Sequence, residues 1–205
     1  MFMTCVQAED RRMKLLRGKV RSLLINILLI LACAAQAQVR VCDMLRSMPD
    51  SLVPYLSANN RLDMIDFKNA NMKAEVRNSQ EGRSELVTLT DRYADLALNP
   101  AHRMEMCLLD VKTPIDSCSH ILCVVDTYGA DIKESTIRFF SLTWRQLPAD
   151  NYVTLPPVMF TATLHEQDFE LLLTPSNDLD RPAMEEQKEI EIFPIKLNWK
   201  NNFFK

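Results

Sequence analysis

From Met72 onward the apolar residues stop recurring at helical spacing and alternate in short runs broken by turn signals, and this pattern constrains the fold more than any other feature of the chain. The runs are Lys73 to Arg77, Glu85 to Thr90, Arg103 to Asp110, Ile121 to Thr127, Thr136 to Leu147, Val158 to Leu164, Phe169 to Thr174 and Glu189 to Trp199. Turn residues separate them at Ser79 to Gly82, Asn99-Pro100, Thr113-Pro114, Tyr128 to Asp131 and His165 to Asp168. Upstream the period is helical. Val41 to Met48 reads as a short helix ended by Pro49, Asp50 and Ser51 introduce a turn carrying Leu52, Val53, Tyr55 and Leu56, and Asn60 to Ala70 reads as a further helix with Leu62, Ile65 and Asn69 in one row. Helices first and hairpins after, without βαβ alternation, predict an α+β fold in which N-terminal short helices pack on a mainly antiparallel, meander-like sheet. Pro175 to Lys188, polar and charged, reads as a long exposed loop.

The segment before this domain is of another kind. Arg11, Arg12, Lys14, Arg17, Lys19 and Arg21 lead into an apolar run, Leu23 to Ala32, that ends at Ala35-Gln36-Ala37. A basic lead-in, a short apolar stretch and a small-x-small site are the three parts of a secretory signal peptide, and the run is too short for a permanent membrane span. Glu9 and Asp10 fit poorly in such a lead-in, whereas Met13-Lys14-Leu15-Leu16 reads as a natural start. Residues 1–37 are therefore expected to be removed, leaving a single domain over 38–205, exported to the periplasm or cell envelope and without a transmembrane span. Cys33 after Ala32 offers the rival reading of a lipoprotein anchor.

Charge and glycine content exclude several functions. Residues 1–37 hold six of the 24 basic and two of the 27 acidic side chains, so the remainder carries 18 against 25, a formal charge of −7. An acidic chain has no basic stripe for nucleic acid or an anionic membrane surface. Only Gly82 and Gly129 remain after position 37, so no glycine-rich phosphate loop, dinucleotide fingerprint or G-x-S-x-G elbow is present. No cofactor is expected.

Four cysteines follow the leader: Cys42, Cys107, Cys118 and Cys123. If Arg103 to Asp110 and Ile121 to Thr127 form a hairpin centred on Ile115, residues whose numbers sum to 230 face one another, and Cys107 meets Cys123. A cross-strand disulfide and a pair of buried free thiols are both open readings. Cys118-Ser119-His120 puts a thiol and an imidazole on one face of an extended segment, the minimum for an activated nucleophile, but supplies neither an oxyanion hole nor a third group. His165-Glu166 begins H-E-x-x-H, yet Phe169 occupies the second ligand position. His102, His120 and His165 each stand beside a turn or strand end and are expected to be solvated. Asp63 and Asp66 lie on one side of a helix, as hydrated residues or a weak cation site. Metal sites and catalytic residues are thus not predicted.

Eight methionines after the leader accompany Phe139, Phe140 and Trp144. Methionine suits either an ordinary core or an adaptable groove, and Met104, Met106, Phe139, Phe140 and Trp144 are the candidate lining of a groove between helices and sheet. The expected partner is an unidentified envelope protein or a hydrophobic ligand.

Arg61-Leu62-Asp63-Met64-Ile65-Asp66-Phe67, with Asn71-Met72, Leu89-Thr90-Asp91-Arg92-Tyr93 and the later Phe139-Phe140, Trp144 and Leu147, resembles a family of secreted Bacteroidales proteins catalogued as a domain of unknown function. The resemblance covers most of the chain after the leader. It implies an exported envelope protein and carries over no catalytic residue. The function expected is a non-catalytic binding or structural module, with a carrier of hydrophobic cargo (lipid or lipoprotein) as the alternative and a hydrolase behind both.

Overall fold

The central element is an antiparallel sheet of seven strands in sequence order, each hydrogen-bonded to the next. The computed structural model describes residues 39–166, 169–175 and 194–205, all within the compact unit Val39–Lys205. The signal segment, Met13, Cys33, the cleavage site and most of the expected polar loop lie outside the described residues. Two helices, α1 (Val41–Ser47) and α2 (Ala58–Asn69), precede the strands. The large sheet runs β1 (Glu75–Arg77), β2 (Arg83–Leu89), β3 (Tyr93–Asn99), β4 (His102–Ile115), β5 (Cys118–Tyr128), β6 (Glu134–Phe140) and β7 (Gln146–Leu147). A second antiparallel sheet holds β8 (Phe160–His165), β9 (Glu170–Pro175), β10 (Ile195–Lys200) and β11 (Phe203–Phe204), in the order β11-β10-β9-β8. The architecture is mainly β with few helices, and broadly α+β.

Alternation along each strand gives the large sheet two apolar faces, and each is covered. Leu86, Leu96, Leu98, Met104, Met106, Leu122, Val124 and Phe140 meet Val41, Met44, Leu45, Met64 and Ile65 of the helices. Cys107, Leu109, Ile121, Cys123, Val125, Ile137 and Phe139 meet Ala162, Leu164, Leu171, Leu173 and Phe204 of the second sheet. The layers are helices, large sheet and small sheet. Each large apolar side chain buried here contributes roughly 1.5–3 kcal/mol.

Local chemistry fixes the ends of these elements. Ser57 caps α2, its hydroxyl accepting the Asn60 N–H at 3.2 Å while the Asn60 side chain accepts the Ser57 N–H. At the other end Asn71 takes φ 55°, and the Asn71 and Met72 N–H groups donate to Lys68 and Phe67 carbonyls, a left-handed stop. The buried face of α2 is Arg61, Met64 and Ile65, while Leu62 is exposed. The guanidinium of Arg61 donates to the carbonyls of Leu56 and Met48, both at 2.7 Å, and pairs with Asp50 at 2.9 Å. It thereby ties the irregular segment before α2 to the end of α1.

Several expected boundaries differ. The strand Tyr93–Asn99 was not among the expected runs, and Phe203–Phe204 extends the small sheet. Thr136 to Leu147 is not one strand, because Ser141 to Trp144 form a turn closed by Trp144 N–H on Ser141 O at 3.0 Å, with Trp144 at φ 61°. The β4–β5 register follows the sum of 230 from His102↔Tyr128 to Asp110↔His120 and then shifts to Ile115↔Cys118. The hairpin therefore turns at Asp116-Ser117, past Thr113-Pro114, with both turn residues at positive φ.

Candidate functional site

At the end of the large sheet where β3 turns into β4 and β5 into β6, charged residues on adjacent strands enter both apolar layers. On the helix side His102 and Asp126 are buried, at 7% and 0% exposure. His102 Nε2 lies 3.1 Å from Asp126 Oδ1, and Arg138 donates to Asp126 Oδ2 at 2.5 Å. The carboxylate sets the imidazole proton on Nε2, which leaves Nδ1 to accept the Tyr55 hydroxyl. Tyr128 stacks on the imidazole with ring centroids 4.2 Å apart. Burial, with Tyr128 and Asp126 nearby, pushes the Tyr55 phenol up to about 12. A phenol held so firmly protonated is a hydrogen-bond donor at neutral pH and a poor nucleophile.

On the opposite side of the same strands lies a second cluster. Asp95 and Glu105 face one another in the β3–β4 register, and Arg103 grips Asp95 with two bonds of 2.8 and 3.0 Å. The Tyr93 hydroxyl donates to Glu105 Oε1 at 2.7 Å, with Arg103 3.5 Å away. Desolvation raises Glu105 above the ordinary carboxylate range despite these donors. Ser135 Oγ accepts the Ala162 N–H at 2.8 Å. A side chain of the large sheet thus satisfies one outward N–H group of β8, an edge strand of the small sheet.

Between this cluster and β8 opens a cleft of about 490 Å³. Glu105 and Ala162 form buried parts of its wall, and Thr127, Thr161, Thr163, Arg103 and Lys133 also line it, with the Thr127 hydroxyl bonded to Ser135 and that of Thr161 near the Thr174 carbonyl. The volume lies in the range of small-ligand sites, the hollow is partly open to solvent, and its lining mixes polar and apolar surface. Another hollow of similar size, beside β1, is lined by Glu75, Arg77, Glu81 and Arg83. Glu75 there is paired with Lys73 and Arg83 at the surface, an arrangement that protects an edge strand.

The residues singled out in the sequence do not assemble into one site. Met104, Met106 and Phe140 are buried on the helix side with Trp144 against them, whereas Phe139 is buried on the other side. A groove shared by all five is therefore ruled out by the sheet between them. Trp144 Nε1 donates to Ser47 Oγ at 3.2 Å and joins the β6–β7 turn to α1. Cys107 stands directly opposite Cys123 with both thiols free. Burial pushes the Cys107 thiol up to about 12 and raises that of Cys123. His120 pairs with Asp110 at 3.0 Å and contacts Ser119. His165 is exposed, as are Asp63 and Asp66. His102 corrects the expectation of three solvated histidines.

Sequence reasoning missed Tyr55, Asp126, Arg138, Asp95, Arg103 and Glu105. Their signal was present: Glu105 between Met104 and Met106, Asp95 between Ala94 and Leu96, and Asp126 after two valines are acids inside otherwise apolar strands. A carboxylate in such a position demands a partner.

Fold and cluster together define a mainly antiparallel α+β domain, a sheet covered by helices on one face and by a smaller sheet on the other. Within that class the chain belongs to a family described as protein of unknown function (DUF3256), whose model matches residues 32–202. A solved domain of an uncharacterized protein from Porphyromonas gingivalis W83 shares the fold, with a TM-score of 0.62 at 17% identity over 80% of this chain and 96% of that one. No curated protein matches.

Proposed function

We propose that this chain is an exported cell-envelope protein that works without catalysis, as a binding module that seats a small polar ligand in the cleft between the Arg103–Glu105 cluster and β8. The carrying observation is the cleft itself: about 490 Å³, with a buried carboxylate, threonines and two cationic side chains in its wall. Asp95 and Glu105 are held by Arg103 and Tyr93, which suits fixed recognition groups better than proton transfer. The address rests on the leader pattern ending at Ala37. The hydrophobic-carrier reading has no observation in its favour, since its groove residues are divided between two packed layers.

The test is native mass spectrometry of protein purified from its own host, with the N-terminus sequenced from the same sample. The reading expects Gln38 at the N-terminus and a retained polar small molecule that is lost in a Thr127→Val, Thr163→Val variant of unchanged secondary structure. A ligand-free mass, together with no saturable shift in melting temperature across monosaccharides, dipeptides and dicarboxylates, would defeat it.

A further inference from the structure

The two cysteines at the centre of the β4–β5 ladder carry an inference independent of the cleft and of the protein's address. Gly129 N–H donates to Ala101 O at 2.9 Å, which makes the odd-numbered residues of β4 the ones that exchange both backbone bonds with β5. Leu108 N–H on Arg92 O, also 2.9 Å, fixes the same phase from the β3 side. Cys107 and Cys123 are therefore a hydrogen-bonded pair, whose Cα atoms stand about 5.5 Å apart, within the range that a disulfide spans, while their Cβ atoms, about 5.5 Å apart in such a pair, must close by about 1 Å as the bond forms. Both side chains project into the layer between the sheets, with Leu109, Ile121 and Val125 around them. Neither remaining described cysteine competes: Cys42 is buried in the helix-side layer, and Cys118 sits at the hairpin end opposite Ile115.

We propose that Cys107 and Cys123 close a cross-strand disulfide when the chain folds in contact with a disulfide oxidant, either a small-molecule disulfide or an oxidised thiol–disulfide oxidoreductase. The thiolate of one cysteine attacks the oxidant's disulfide, forming a mixed disulfide and releasing one oxidant sulfur as a thiol. The thiolate of the second cysteine then displaces the other oxidant sulfur. Two protons and two electrons leave the protein, and the oxidant ends as two thiols. The order of events follows from burial. In the folded chain both thiols are sealed and held protonated, so the exchange belongs to the folding chain, where the hairpin brings the two residues together locally. Once formed, the bond is closed to reductants for the same reason.

The experiment refolds the reduced, denatured full chain in a buffer of oxidised and reduced glutathione, quenches with acid, and alkylates in denaturant without reductant. The proposal expects a product two alkyl groups short of the fully reduced chain, a peptide map joining Cys107 to Cys123, and the same product in Cys42→Ser and Cys118→Ser variants. Full alkylation of the refolded wild type overturns it, as does a bridge to any other cysteine. The wild-type map decides this even if Cys123→Ser does not fold. Oxidant added after folding is expected to leave every thiol of the buried pair alkylatable on later denaturation, and bridging as fast as in the folding chain overturns the sealed order.

Discussion

Nε2 of His102 lies 3.1 Å from Oδ1 of Asp126, and both residues are buried beneath the helical layer. Asp126 is fully covered, and its partners among the described residues are the His102 imidazole and Arg138, which binds the other carboxylate oxygen. Removing the carboxylate strands two donors at once, and Asp126→Ala is expected to cost about 3–5 kcal/mol. Asp126→Asn retains an acceptor toward His102 and is expected to cost less. Urea unfolding of the two variants checks the order, and an alanine variant within 1 kcal/mol of wild type, at roughly the exposed-pair level, would show that the pair is not needed.

Arg61 is the matching case outside the sheet. Its guanidinium is 2% exposed and joins Met48 O, Leu56 O and Asp50. Asp50 is exposed, so the two carbonyl bonds carry the effect. Charge-assisted bonds of this kind contribute about 1.5–3 kcal/mol each. Arg61→Met is expected to loosen the Met48–Leu56 segment, seen as faster amide exchange there, with a stability loss of about 3 kcal/mol. Asp50→Asn is expected to change stability by under about 1 kcal/mol, as for other exposed ion pairs.

How much of this was legible depended on whether the partner of a residue was local. Cys107 opposite Cys123 followed from alternation and a hairpin centre placed at Ile115, which holds for the stretch up to Asp110↔His120 although the chain turns further on. The hairpin's real turn, Asp116-Ser117, was obscured because Pro114 is the stronger turn residue and the bulge after Asp110 absorbs the offset. Strand Tyr93–Asn99 escaped because it is buried on both faces, so polar alternation is absent, and its acid, Asp95, is answered by Arg103 on the next strand. The Ser141–Trp144 turn had no glycine or proline to announce it. The polar clusters were illegible as clusters because Tyr55, His102, Asp126 and Arg138 converge only when four elements are assembled. The two-sheet architecture was hidden for the same reason, since nothing in β8 to β10 names the face on which they pack.

Glu105 makes stability depend on pH in a stated direction. Its folded carboxyl titrates above the ordinary range, chiefly through desolvation, so the folded state holds the proton to higher pH than the unfolded chain. In the window from the ordinary carboxylate range up to its folded value, the folded state binds more protons, and Glu105 therefore lowers stability as pH rises. Glu75 and Asp116 shift downward and act with the opposite sign, but both are common to wild type and a Glu105→Gln variant. The difference in unfolding free energy, wild type minus variant, is expected to fall as pH rises through and above the ordinary carboxylate range. Urea titrations at stepped pH measure it, and a difference that rises over this window would contradict the desolvated carboxyl.

The β4–β5 turn supplies a prediction of the other sign. Asp116 and Ser117 take φ of 49° and 65°, the left-handed conformation that a two-residue hairpin turn requires and that residues with a Cβ adopt at a cost of roughly 1–2 kcal/mol. Asp116 has a reason to stay, because its carboxylate pairs with Arg145 at 2.8 Å and lies near the Thr143 hydroxyl. No hydrogen bond of the Ser117 side chain offsets the strain among the described contacts. Ser117→Gly is expected to stabilise the protein by about 0.5–1 kcal/mol, the strain relief less the extra backbone entropy that glycine loses. Asp116→Gly removes the same strain together with the Arg145 pair, and is expected to gain less. Paired thermal melts settle the order. A Ser117→Gly protein less stable than wild type would mean that the hydroxyl has a role the turn geometry does not supply.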